Sequence, residues 1–201
     1  MKKALWMILL AAIVALIPFP APTVASPNPL RVKDPANNPG PFGRALVICY
    51  SQTGITENLA EIIRAKVNGD LINLEVNVDM PREEKAIIQE MEKRQDEPLT
   101  IKNPPPNLDG YDVIFVGGPV WYGEIAQPLA SFLANIDFQG KKVVVFGTSG
   151  SAPREAYAHL AQSLKNAQVV PGGRIFGREV LANNDHDELV SAWLTTIKTN
   201  F

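Results

Sequence analysis

Ala45-Leu-Val-Ile-Cys-Tyr50, followed at once by Ser51-Gln-Thr-Gly-Ile-Thr-Glu-Asn58, is the stretch that decides the fold. The first six residues form an unbroken apolar run, the pattern of a parallel strand buried on both faces. Leu59, Ile62, Ile63 and Val67 then recur at helical spacing, so an amphipathic helix follows. Between the two lie the hydroxyls of Ser51, Thr53 and Thr56, with Gly54 to turn the backbone tightly. A strand that stops where a helix begins presents free amides and the positive end of a helix dipole, which together favour a phosphate.

Downstream the alternation repeats. Leu71 to Leu74 reads as a second strand, and the charged segment 82–97 as a crossover helix with a solvated outer face. Pro98 to Asp109, with prolines at 104 to 106, reads as a loop. Val113 to Val116 makes a third strand ending at Gly117 and Gly118, and a helix carrying Leu129, Phe132, Leu133 and Ile136 follows. Val143 to Phe146 makes a fourth strand, and Tyr157, Leu160, Ala161 and Leu164 mark the next helix. A fifth strand runs from Val169 to Phe176, interrupted by Pro171, Gly172 and Gly173, and a helix with Leu189, Val190, Trp193, Leu194 and Ile197 closes the chain. Parallel strands need such crossovers, and right-handed crossovers place helices on both faces of one sheet. Trp193, on the apolar stripe of the last helix, is assigned to the core.

Ligands of such sheets bind beyond the carboxyl ends of the strands. Three loops qualify: Ser51 to Thr56, Pro119 to Glu124, and Thr148 to Ser151. The first has no Gly-Lys-Ser or Gly-Lys-Thr ending, so a monophosphate fits it better than a nucleoside triphosphate. The second, Pro119, Val120, Trp121, Tyr122 and Gly123, sets two large aromatics at a strand end, where their faces suit a planar ring. The third, Thr148, Ser149, Gly150 and Ser151, supplies small residues and backbone amides for the edge of such a ring.

With these three loops in order, residues 44–201 resemble the flavodoxin family, specifically its small flavodoxin-like branch. Ser51-Gln-Thr-Gly-Ile-Thr56 resembles the family's phosphate loop. Gly118-Pro-Val-Trp-Tyr122 with Pro128 resembles its second loop and following helix, and Phe146-Gly-Thr-Ser-Gly150 its fourth strand and third loop. The chain departs from the branch at Ile55, where asparagine is common, and at Ala152-Pro-Arg154, where a more glycine-rich sequence is usual. The resemblance implies an α/β, flavodoxin-like, doubly wound five-stranded parallel sheet of order 2-1-3-4-5 that binds flavin mononucleotide (FMN). It assigns the phosphate to Ser51, Gln52, Thr53, Gly54, Ile55 and Thr56. It stacks Trp121 or Tyr122 on the isoalloxazine, with Pro119, Val120 and Gly123 beside them, and lines the ring edge with Thr148 to Ser151. Electron transfer by the flavin is the implied function, with a redox partner protein or a small electron acceptor. An FMN-dependent reductase passing hydride from a nicotinamide nucleotide to a quinone-type acceptor is the alternative. No catalytic side chain is assigned.

Composition bounds the rest. Of 201 residues with net charge −2, no block of Lys and Arg supports nucleic-acid binding. The single cysteine, Cys49, excludes an intrachain disulfide and any multi-cysteine metal site, and its apolar strand makes it a buried hydrophobe. His159 and His186, read as having no carboxylate or histidine neighbours at ligand spacing, are assigned to the surface with no metal or catalytic role. Lys2 and Lys3 precede an apolar run from Ala4 to Ile17, with small residues at Thr23-Val-Ala25, so residues 1–25 read as a signal peptide and the protein as exported, periplasmic or extracellular. An uncleaved signal is the only expected membrane contact. Residues 26–43, rich in proline, read as an extended linker.

Overall fold

A computed structural model describes residues 39–81, 83–93, 99–150, 155–177 and 186–201. The segments expected to form the signal peptide and most of the linker lie outside these residues, as do Ser151 and Ala152 to Arg154. Among the described residues no helix is long and apolar enough to cross a membrane.

The opening stretch folds as its pattern dictates. Strand β1 spans Ala45–Tyr50 and is buried throughout, and helix α1 spans Ile55–Val67. Leu59, Ala60, Ile63 and Val67 form the buried face of α1, while Arg64 and Lys66 occupy its last turn, where the dipole favours cations. Asn68 ends the helix in a left-handed conformation at φ 52°, and the Gly69 amide donates back to the Arg64 carbonyl at 3.0 Å.

Strands β2 (Asp70–Leu74), β3 (Val113–Trp121), β4 (Glu124–Ile125), β5 (Lys142–Thr148), β6 (Gln168–Val169) and β7 (Arg174–Phe176) complete the sheet. Helices α2 (Glu84–Lys93), α3 (Gln127–Ala134), α4 (Ala156–Ser163) and α5 (His186–Lys198) connect or follow them. The order across the sheet is β2-β1-β3-β5-β6, with β7 beside the far half of β5. Pairing is parallel except in the β3–β4 hairpin. Position for position this is the expected 2-1-3-4-5 doubly wound sheet, with two additions to its five strands. The fifth position is shared by β6 and β7, because Pro171-Gly172-Gly173 interrupts the ladder and Gly172 takes a φ of 93°. The other addition is the hairpin. From the apolar run the third strand is expected to end at Gly117 and Gly118, with Pro119 to Glu124 as a loop. In the structure β3 continues to Trp121 and folds back, with Val120 opposite Ile125 and Trp121 opposite Glu124. Tyr122 and Gly123 form the two-residue turn at φ 53° and 89°, the positive pair that matches the twist of a tight hairpin. Two glycines and a proline hide a strand from any apolar-run criterion.

Alternation along β1 divides the core in two. Leu46, Ile48 and Tyr50 face one layer with α3 and α4, and Ala45, Val47 and Cys49 face the other with α1 and α5. Trp193 packs edge-on against Phe176, with ring centroids 5.5 Å apart, and its indole N–H donates to the Gly172 carbonyl at 2.8 Å. At the end of the proline-rich stretch, Phe42 packs against Phe115 and Phe201 with centroids 5.9 and 4.9 Å apart. The residues just before Arg44 are thus seated on the domain.

Asp112, ahead of β3, accepts from the Arg44 amide at 2.8 Å and from its guanidinium at 3.2 and 3.3 Å. The side-chain bond from Arg44, aided by its backbone amide, holds the Asp112 carboxyl below the usual carboxylate range. A pKa depressed by folding gives stability that is present above the unfolded value and lost as pH falls through the folded one. Asp112→Asn is therefore expected to melt below the wild type at neutral pH, with the two curves converging below about pH 4. Thermal melts across an acid series check this.

Candidate functional site

The carboxyl ends of β1, β3 and β5 lie side by side because the parallel register aligns Ile48 with Val116 and Pro119 with Thr148. The three loops picked out from sequence all start from this edge, and three contacts join them. Tyr50, the last residue of β1, meets Trp121 edge-on at 5.8 Å between centroids. Pro119 neighbours Thr148 across the β3–β5 ladder. Thr56 Oγ1 lies 2.7 Å from Thr148 Oγ1.

In the first loop, Gly54 caps α1 at φ 91°, and its amide donates to Ser51 Oγ at 3.1 Å. A Cβ on Gly54 would meet nothing within 4 Å, so the glycine is there for its backbone angle and leaves open space beside it. The first helical hydrogen bond runs from the Asn58 amide to the Gly54 carbonyl, so the amides of Ile55, Thr56 and Glu57 precede the ladder of α1. Thr53 is exposed and Ser51 half-buried. Thr56 is only 1 % exposed.

Gln52 has a different environment from its neighbours. Its Oε1 accepts from the Tyr50 phenol at 2.9 Å, and its Nε2 donates to the carbonyls of Met80 and Pro81 at 3.1 and 2.7 Å. Its side chain thus fastens the loop to the segment after β2. Burial pushes the Tyr50 phenol well up, so the group stays a neutral donor. Residues 75–81 also wall the loop, a role the strand and helix assignments from sequence leave out although the alternation of Val76, Val78 and Met80, all packed on the core, marks them.

In the second loop Trp121 is half-buried against Tyr50, whereas Tyr122 at the hairpin tip is 84 % exposed. Among the described residues it is the large apolar side chain left in solvent. In the third loop Thr148 and Ser149 are buried, and the Ser149 amide donates to the Phe176 carbonyl at 2.8 Å, which ties the loop to β7. Gly150 is exposed, with nothing within 4 Å of where a Cβ would stand.

His159 on α4 is exposed, as expected, but it has carboxylate neighbours that the spacing argument overlooked. Its Nδ1 lies 2.7 Å from Glu124 of the hairpin and its Nε2 3.2 Å from Glu155, one helical turn earlier. The Glu124 contact raises its pKa above the ordinary histidine value. Among the described residues no cluster of His, Cys, Asp and Glu could hold a metal. Cys49 is buried, and burial, with Glu57 adding to it, pushes its thiol well up.

The edge therefore offers hydroxyls and helix-start amides at one end, aromatic faces beyond them, and small residues opposite. This donor set, with open space at Gly54 and Gly150, fits a phosphate ester of a planar ring.

A sequence profile of the family described as flavodoxin matches residues 44–197. A flavodoxin from Synechocystis sp. is 27 % identical over 143 residues, covering 69 % of this chain and 71 % of that protein. Among solved structures, a flavoprotein from Bacteroides eggerthii superposes with a TM-score of 0.57 at 25 % identity, over 77 % of this chain and 97 % of its own. A flavoprotein from Lactobacillus acidophilus, solved in complex with FMN, gives a TM-score of 0.57 at 20 % identity, over 75 % of this chain and 98 % of its own.

Proposed function

Because the chain belongs to the flavodoxin family, we propose that it is an exported electron-transfer protein that holds FMN at the carboxyl edge of its sheet. The observation that carries this reading is the meeting of the three loops, through Tyr50 and Trp121, Pro119 and Thr148, and Thr56 and Thr148. Bound there, the flavin supplies one- or two-electron transfer that no side chain here provides.

The residues divide the work of binding. Ser51, Thr53 and Thr56, with the first-turn amides of α1, take the phosphate by neutral donors and the helix dipole. Gln52 holds that loop in shape through Met80 and Pro81. Trp121, braced by Tyr50, would form an inner wall, Tyr122 would cover the ring from solvent, and Gly150, with no side chain, would let the ring edge come close. Export follows from the apolar run after Lys2 and Lys3, and the electron acceptor is a redox partner protein or a small molecule.

Titration of the full chain with FMN, followed by quenching of flavin fluorescence, is expected to give saturable binding with a dissociation constant below micromolar. Thr53→Val is expected to weaken FMN by about tenfold, one charge-assisted hydrogen bond, and to leave riboflavin unchanged. Absence of binding at micromolar FMN would overturn the proposal. Rapid bleaching of the bound flavin on mixing with NADH or NADPH would replace the carrier by a reductase.

A further inference from the structure

We propose that Thr148 serves the phosphate end of the site, as the residue that fixes the hydroxyl of Thr56, and does not contact the ring edge. The inference rests on the FMN reading above and assigns Thr148 a different part in it.

Thr148 is the last residue of β5 and only 5 % exposed. Its hydroxyl lies 2.7 Å from that of Thr56, a residue 92 positions earlier in the first turn of α1. A threonine hydroxyl has one proton and two lone pairs. Within the pair one proton lies between the two oxygens, and the other remains to be given elsewhere. An anion beside the helix start accepts hydrogen bonds and donates none. Its presence selects one arrangement, in which Thr148 donates to Thr56 and Thr56 donates outward. Both oxygens are buried, so the first bond polarises the second in a low-dielectric setting.

Thr148 is suited to the task because its backbone is held on both sides. The β3–β5 ladder holds it opposite Pro119, and the next amide, of Ser149, is bound to the Phe176 carbonyl. A donor on a rigid strand end fixes the rotamer of a partner on the helix start. Thr148 is therefore a positioning residue that acts through Thr56.

The test compares FMN with riboflavin, which has the ring and no phosphate, in Thr148→Val, Thr148→Ser, Thr56→Val and the double valine variant. Thr148→Val is expected to weaken FMN by about tenfold and riboflavin by less than about twofold. Thr148→Ser, which keeps the hydroxyl, is expected to restore FMN binding and also serves if the valine variant folds poorly. In the Thr56→Val background, adding Thr148→Val is expected to cost nothing further, since the residue it acts through is gone. Equal loss of riboflavin and FMN, full loss persisting without Thr56, or unchanged FMN affinity would each overturn the assignment while leaving the FMN site standing. A wild type that binds neither flavin overturns both.

Discussion

Tyr122→Ala is expected to fold and melt like the wild type yet to bind FMN about 30-fold more weakly, a difference on the order of 2 kcal/mol. The two effects separate because the side chain is 84 % exposed and supports nothing in the domain. Surface changes of that kind leave stability within about 0.5 kcal/mol. It sits in the hairpin turn beside the edge where the loops meet, at φ 53°, and its exposed ring has apolar area available for a ligand to cover. Tyr122→Trp is expected to retain affinity. Fluorescence titration with FMN, alongside a thermal melt of each variant, measures both quantities. Unchanged affinity in Tyr122→Ala would move the stacking contact to Trp121.

Phe115→Ala is expected to destabilise the domain by about 3–5 kcal/mol, the usual cost of emptying a fully buried aromatic site. Phe115 lies in the central strand and is wholly buried. Its ring meets Phe42 edge-on at 5.9 Å and Trp193 at 6.4 Å between centroids. Removing it opens a hole bordered by the segment that enters the domain and the helix that ends it, two elements far apart in sequence. At roughly 2–4 °C per kcal/mol for a domain of this size, the melting temperature falls by about 6–20 °C. Circular dichroism melts check this, and a loss below about 1 kcal/mol would mean that the site collapses onto the gap.

The reach of the sequence can be judged from particular residues. Ala45 to Tyr50 and the stripe of Leu59, Ile63 and Val67 were legible because burial on a strand and on a helix leaves distinct periods. The three loops were legible because a doubly wound sheet puts ligands at one known edge. The β3–β4 hairpin was not, since Gly117, Gly118 and Pro119 break the apolar run while the ladder continues through them. Contacts across long separations were also out of reach. Nothing in the chain announces that Gln52 binds Met80 and Pro81, that Thr56 meets Thr148, or that His159 meets Glu124, because each depends on how the layers close, whereas Glu155, four residues before His159, was readable from the spacing.

Cys49 is the only thiol in the chain, and it lies buried in the strand that leads into the Ser51 loop. It is thereby a built-in reporter of opening. A thiol reagent in solution reaches it only when β1 separates from the layer of α1 and α5, so the labelling rate follows the population of that opened state. A ligand that binds only the closed protein slows labelling in proportion to its occupancy. One unengineered side chain thus allows the affinity of the neighbouring site to be timed with a chemical clock, with no need for a coloured ligand.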